Sequence, residues 1–326
     1  MSLERDGVVL QGTGGIWQVR TDDGVTRVAS LRGRLKQEAS GRDAREMRNE
    51  SSREQARPLK LAVGDRVSVS GEESGDSWTI NEIHPRRSQL ARKRPGNAKG
   101  ERIIVANLDQ VLVVFAAANP EPHPRMLDRF LVIAEANDLL ARIIINKVDL
   151  ADHDAVRERF AEFTAAGYPM HITSVKQSLG LEELREEIAG KGSALTGPSG
   201  VGKSSLMNTL FPGLNLRTAE ISDSVNKGRH TTVGALLHSL PGGGFIADTP
   251  GLREVGLWGI DPREIPACFP EFRPLLDQCR FADCTHTVEP GCAVREAVAA
   301  GTVSRGRHES YIKLREELAH ASADVW

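Results

Sequence analysis

Long apolar runs are missing from this 326-residue chain. The longest uninterrupted one, Val111 to Ala118, falls far below the ~18 residues that a membrane-spanning helix requires. The opening MSLERDGVVL has an early acidic residue and no extended apolar centre, so it does not read as a secretory signal. A cytoplasmic protein is expected. Cysteine is absent before position 268, and all four cysteines, Cys268, Cys279, Cys284 and Cys292, fall within 25 residues. In a reducing compartment such clustering favours a bound metal over disulfides. Residues 36–58 contain no Val, Ile, Leu or aromatic residue. That stretch can bury little and reads as a charged, mobile loop.

The rest is ordinary soluble composition, 40% apolar and 26% charged, long enough for two or three domains. The net charge of −2 conceals an asymmetry. Met1 to Arg102 holds 20 Lys/Arg against 15 Asp/Glu, and the remainder 22 against 29. Residues 7–31 and 59–85 alternate apolar and polar positions around Gly/Asp turns, with Asp23-Gly24 as a hairpin signal. Four or five short strands of this kind predict a small barrel of the OB type. Arg86 to Arg102 then concentrates Arg86, Arg87, Arg92, Lys93, Arg94, Lys99 and Arg102. It reads either as a solvated linker or, beside a barrel, as a surface for a phosphate backbone. No aromatic interleaves it, so base stacking there is not indicated.

From Ile103 the pattern becomes buried strands alternating with amphipathic helices. QVLVVFAAA, ARIIIN, HITSV and SALTG are the strands. Leu127/Phe130/Leu131/Ala134, Val156/Phe160/Phe163 and Leu181/Leu184/Ile188 stripe the helices between them. This is a doubly wound α/β arrangement. Its last strand runs into Gly197-Pro198-Ser199-Gly200-Val201-Gly202-Lys203-Ser204, a phosphate loop followed by Ser205 and a helix. Its glycines let backbone N–H groups turn toward an anion, and the helix adds the positive end of its dipole. Lys203 would reach the β/γ-phosphates, and Ser204 would offer its hydroxyl to magnesium.

Four further motifs specify the nucleotide. Asn146-Lys147-Val148-Asp149 matches N-K-x-D: Asp149 can accept two hydrogen bonds that guanine offers and adenine does not, with the Lys147 stem along the base. Ser174-Val175-Lys176 resembles the second base-contacting loop, S-A-K. Lys227-Gly228-Arg229-His230-Thr231-Thr232 supplies a switch I threonine for the γ-phosphate and magnesium, with Thr232 preferred over Thr231. Asp248-Thr249-Pro250-Gly251 is the D-x-x-G of switch II: Asp248 would hold magnesium through water, and the Gly251 N–H would touch the γ-phosphate. The two base motifs precede the phosphate loop and the two switches follow it. A circular permutation keeps such a site intact, and it sends switch II directly into the C-terminal region.

The permuted order, the GRHTT segment, the preceding barrel and the cysteine-rich tail resemble the RsgA (YjeQ) family of bacterial ribosome small-subunit-dependent GTPases over nearly the whole chain. That resemblance implies a GTP hydrolase of late small-subunit maturation that binds rRNA, leaves on hydrolysis and is stimulated by the small subunit. Leu252 stands where a Ras-like enzyme carries its water-orienting glutamine. The polar candidate is His230, the corresponding histidine being the one the resemblance implies, with Lys203 and Thr232 beside it in catalysis.

Cys279, Cys284, His286 and Cys292 form C-x4-C-x-H-x5-C, suited to one closed, structural tetrahedral zinc site. An all-cysteine site using Cys268 in place of His286 is the other option. The expected division is an OB barrel over 1–90, a circularly permuted P-loop GTPase domain over 91–258 and a mainly helical zinc-binding domain over 259–326. A monomer is expected, with GTP/GDP, magnesium and zinc as its cofactors. A nucleotide-gated RNA-binding scaffold with negligible turnover, and a kinase or ATPase, are the competing readings. Asp149 speaks against the last.

Overall fold

The computed structural model describes residues 3–33, 60–72, 77–93, 101–216, 235–248 and 260–323. The charged stretch 36–58 lies outside them.

Five strands close the N-terminal barrel: β1 (Leu3–Thr13), β2 (Ile16–Thr21), β3 (Thr26–Leu31), β4 (Arg66–Gly71) and β5 (Trp78–Ile83). Their order is β1-β2-β3-β5-β4, antiparallel except for β3 against β5. Alternation fills the interior with Val9, Val19, Ala29, Val67, Val69, Trp78 and Ile80. Asp23 fixes the β2–β3 turn, accepting hydrogen bonds from the Thr21 hydroxyl (2.7 Å), the Val25 N–H (3.1 Å) and the Arg27 guanidinium (2.7 Å).

The described residues of the basic stretch include two strands. β6 (Gln89–Lys93) and β7 (Glu101–Ala106) pair antiparallel as a hairpin. Its base is held by the apolar side chains of Leu90 and Val105, both buried in the central core, and by the Ala91 N–H donating to Asn137 Oδ1 at 3.1 Å.

The central sheet has the order β10-β9-β8-β11-β13-β12. β8 (Gln110–Ala116), β9 (Leu140–Asn146), β10 (Met170–Ile172), β11 (Gly192–Thr196) and β13 (Phe245–Asp248) are parallel, and β12 (Leu236–Ser239) is antiparallel at one edge. β8 is buried on both faces, as its unbroken apolar sequence requires. One face packs under α1 (Pro124–Glu135) through Leu127, Phe130 and Leu131. The other packs under α4 (Leu181–Ile188) and α5 (Lys203–Leu210) through Leu184, Ile188, Leu206 and Met207. The Val156/Phe160/Phe163 stripe forms two short helices, α2 (His153–Arg159) and α3 (Ala161–Ala165), because the backbone departs from helical geometry at Phe160 (φ −105°, ψ 9°). The Asp152 carboxylate caps α2, accepting from the N–H groups of Asp154 and Ala155.

The C-terminal part begins with 3₁₀ turns at Ile265–Cys268 and Arg273–Gln278 and ends in α6 (Ala293–Ala299) and α7 (Arg305–Ala323). It meets α1 and α3 through Arg307 and Ser304, while Phe269, Phe272 and Tyr311 form its own aromatic core, with ring centroids 5.0–5.5 Å apart. Arg307, 1% exposed, is sunk in this interface. It pairs with Asp128 of α1, donates to Glu271 at 2.7 and 3.1 Å, and lies over the rings of Phe163, Tyr168 and Phe269. Among the described residues no helix is long and apolar enough to cross a membrane.

Candidate functional site

The parallel strands deliver the predicted motifs to one edge of the sheet. Asn146 ends β9, Thr173 and Ser174 follow β10, the phosphate loop leaves β11 after Thr196, and Asp248 ends β13. This is the carboxyl edge where an open α/β sheet places its ligand. The permutation leaves the convergence untouched, because sheet position rather than chain order sets it.

The loop Gly197–Gly202 is shaped by residues that only glycine can supply. Gly197 has φ +133°, and a Cβ there would collide with the Val114 carbonyl oxygen. Gly202, at φ +91°, caps α5, and a Cβ would sit 2.6 Å from Asn146 Nδ2. That close approach allows the Asn146 amide to donate to the Val201 carbonyl at 3.0 Å. The Thr173 hydroxyl, donating to Asn146 Oδ1 at 3.2 Å, fixes which way the amide faces. Lys203, 6% exposed, donates to the carbonyls of Gly197 (2.8 Å) and Pro198 (2.5 Å), so its ammonium lies under the loop. Ser204 and Ser205 follow it in the first turn of α5, with Ser204 half-buried and Ser205 exposed.

The base side is assembled with equal economy. Asp149 is half-buried, and its carboxylate accepts a 2.6 Å hydrogen bond from the Ser174 hydroxyl. Ser174 Oγ in turn accepts from the Gln177 N–H at 3.1 Å, and Ser174 and Leu179 exchange backbone hydrogen bonds that close the loop carrying Val175 and Lys176. Lys147 lies between two loops, donating to the carbonyls of Gly200 (2.7 Å) and Asn119 (2.5 Å). Sequence reasoning missed two of these features. The S-A-K resemblance does not mark the Ser174 hydroxyl, yet it is that hydroxyl that orients Asp149. Asn119 takes part through its main-chain oxygen, which no side-chain motif marks. Of the switch residues, Asp248 is described and half-buried, whereas His230, Thr231, Thr232 and Gly251 lie outside the described residues.

A second cluster forms in the C-terminal part. The ligand atoms of Cys279, Cys284, His286 and Cys292 all lie within 4.8 Å of one another. Cys279 Sγ is 4.0 Å from Cys292 Sγ, and each of these sulfurs is 3.5 Å from His286 Nδ1. A tetrahedral zinc ion with ordinary bond lengths would set S···S near ~3.8 Å and S···N near ~3.5 Å, so the four donors fit the ion. Cys268 stands apart, its thiol directed to the Glu264 carbonyl at 3.6 Å and pushed up to about 12 by burial. The all-cysteine alternative is therefore not assembled. Burial also pushes the Cys284 thiol up to about 12, with the neighbouring cysteines adding to it. Burial holds His286 below its usual range, leaving a neutral imidazole that can ligate. Around this loop Glu289 accepts from Thr285 and Thr287, while α7 supplies Tyr311 Oη donating to the Thr285 carbonyl (2.6 Å) and His308 Nε2 at 2.8 Å from the His286 carbonyl.

A closed five-stranded barrel, a parallel sheet gathering a phosphate loop and N-K-x-D at one edge in permuted order, and a cysteine-histidine cluster together define a circularly permuted P-loop GTPase with flanking modules. The RsgA GTPase family model matches residues 83–258. The protein named small ribosomal subunit biogenesis GTPase RsgA of Gemmatimonas aurantiaca is 64% identical over 98% of this chain and 99% of its own. Its counterpart from Thermotoga maritima is 41% identical over 80% of this chain and 84% of its own. Among solved structures, YjeQ from Thermotoga maritima superimposes with a TM-score of 0.76 at 36% identity, covering 97% and 99% of the two chains. YloQ, described as a circularly permuted GTPase, gives 0.72 at 26% identity over 98% and 96%. The chain belongs to the RsgA GTPase family, and it is a GTPase.

Proposed function

We propose that this GTPase acts in biogenesis of the small ribosomal subunit, binding its rRNA in the GTP state and leaving after hydrolysis. The near full-length relatedness to proteins bearing that name carries the reading. The barrel, the basic β6–β7 hairpin and the zinc module would supply the RNA contacts. The division at 1–90, 91–258 and 259–326 is kept as a working description, and the protein acts as a soluble monomer.

In the nucleotide site, Asp149 reads the guanine N–H groups, Lys147 lies along the base with Asn146 behind it, and the Ser174-Val175-Lys176 backbone faces the guanine carbonyl. Residues Gly197 to Ser205 wrap the phosphates, with Lys203 moving from its own loop carbonyls to the anionic oxygens. Ser204, Asp248 and Thr232 would hold magnesium, which when bound neutralises phosphate charge. Thr231, Thr232 and Gly251 close on the γ-phosphate. His230 orients the attacking water, since Leu252 offers no hydrogen bond. Cys279, Cys284, His286 and Cys292 would hold one zinc, which lends a short loop its folding energy.

The test is GTP turnover with small subunits, large subunits or free RNA added. Stimulation by the small subunit supports the reading, and the same rate in all three opposes it. Family membership favours turnover over the scaffold alternative.

A further inference from the structure

We propose that Asn119 is a positioning residue for guanine recognition, acting through Lys147. The inference rests on the base-site reading above and extends it to a loop outside the recognised motifs. A lysine ammonium carries three donors on a flexible four-carbon stem. Left free, it would sample many rotamers, and a stem serving as a flat apolar wall for a base loses that freedom when the base binds. Here two carbonyls hold it beforehand, Gly200 O from the phosphate loop and Asn119 O from the loop between β8 and α1.

The geometry at Asn119 explains why the carbonyl is available. Its backbone is left-handed, φ +49°, a conformation that asparagine and glycine adopt readily and β-branched residues resist. Its side chain is exposed. The requirement therefore falls on the backbone. The loop is anchored on both sides: the Ala117 N–H donates to the Asn146 carbonyl at 2.8 Å, Pro122 is buried, and Glu121 pairs with Arg159 of α2 at 2.6 Å. Pro120 also flanks the phosphate loop, where a Cβ on Gly200 would meet its Cδ at 3.7 Å. Lys147 itself is left-handed, φ +60°, which turns its stem back toward these two acceptors. Asn119 thereby couples the base wall to the phosphate loop through one cation.

The test compares Asn119→Val, the milder Asn119→Ala, Asn119→Gly and Lys147→Ala, alone and combined, by calorimetric affinity for GDP and IDP and by the KM and kcat for GTP. Asn119→Val should weaken GDP binding about fivefold, as expected for forcing a β-branched residue into this conformation, and raise KM with kcat unchanged. Asn119→Ala should lie between, and Asn119→Gly should restore the wild-type KM. The GDP/IDP ratio should hold in every Asn119 variant, because hypoxanthine meets the Lys147 wall as guanine does and differs only at Asp149. In the Lys147→Ala background Asn119→Val should add nothing. Additive losses, a Gly variant as impaired as Val, or a Val variant indistinguishable from wild type with a folded thermal transition would each overturn the proposal. Equal affinity of the wild type for GDP and IDP would instead contradict the Asp149 reading and leave the coupling test standing.

Discussion

The Ser174 hydroxyl donates to the Asp149 carboxylate at 2.6 Å, joining the loops after two neighbouring strands at the point where a guanine edge would rest. Neither residue is near the other in sequence. The bond leaves one carboxylate oxygen fixed and the group aimed, so recognition of a guanine by Asp149 would start from an ordered acceptor.

Asp149→Asn should therefore exchange the preference of the site. An amide offers a donor where the carboxylate accepted, which suits the 2-oxo group of xanthine. Two charge-assisted hydrogen bonds are lost with guanine, and KM for GTP should rise about a hundredfold while XTP becomes a substrate. Ser174→Ala should cost about fivefold in GTP affinity without altering that preference. Steady-state kinetics with both nucleotides check these outcomes.

Gly202→Ala should strongly weaken nucleotide binding in a folded protein. The added Cβ meets Asn146 Nδ2 at 2.6 Å in a left-handed backbone, so either the Asn146–Val201 bond breaks or the phosphate loop shifts. Loss of at least about tenfold in GDP affinity, with an unchanged far-UV spectrum, is the expected result.

Much of this candidate site is legible in the sequence. Asn146, Asp149, Gly197 to Ser204 and Asp248 are readable because their motifs are made of side chains and glycines, and strand periodicity puts these motifs at or just beyond strand ends. The β6–β7 hairpin was not legible, since Leu90 and Val105 sit among seven basic residues whose charge dominates the pattern. The break at Phe160 was hidden because both halves share one apolar stripe. Asn119 escaped because a carbonyl oxygen belongs to every residue, and only the fold shows which one faces a lysine.

Chelating a zinc held by Cys279, Cys284, His286 and Cys292 should unravel the Cys279–Cys292 loop, which holds too few apolar side chains to fold alone. Purified protein should carry stoichiometric zinc. Cys284→Ser should lower its retention and the thermal midpoint, while GDP affinity, read by calorimetry, stays near wild type.

Arg307 and Asp128 join the C-terminal part to α1. Arg307→Ala should destabilise by about 3–5 kcal/mol, because Asp128 and Glu271 are left facing each other without their cation. Burial pushes Asp128 up from 3.8 to about 6, against the pull of Arg307 and the Ser310 hydrogen bond, with Glu162 adding to the rise. The native state thus holds a proton that the unfolded chain releases at lower pH. This group's stabilisation, about 3 kcal/mol, is present below pH 3.8 and lost as pH rises through about 6. Denaturant unfolding of wild type against Asp128→Asn should show the difference falling across that window and flat above it.

The central claim is that phosphate state in this site is coupled to the small ribosomal subunit. The most direct measurement is GTP hydrolysis by the full chain, wild type and His230→Ala, with purified small subunits, large subunits or free RNA at physiological salt. The account predicts a rate raised by small subunits alone and lost in His230→Ala, with nucleotide affinity retained. A rate indifferent to small subunits, or raised equally by any RNA, would contradict it.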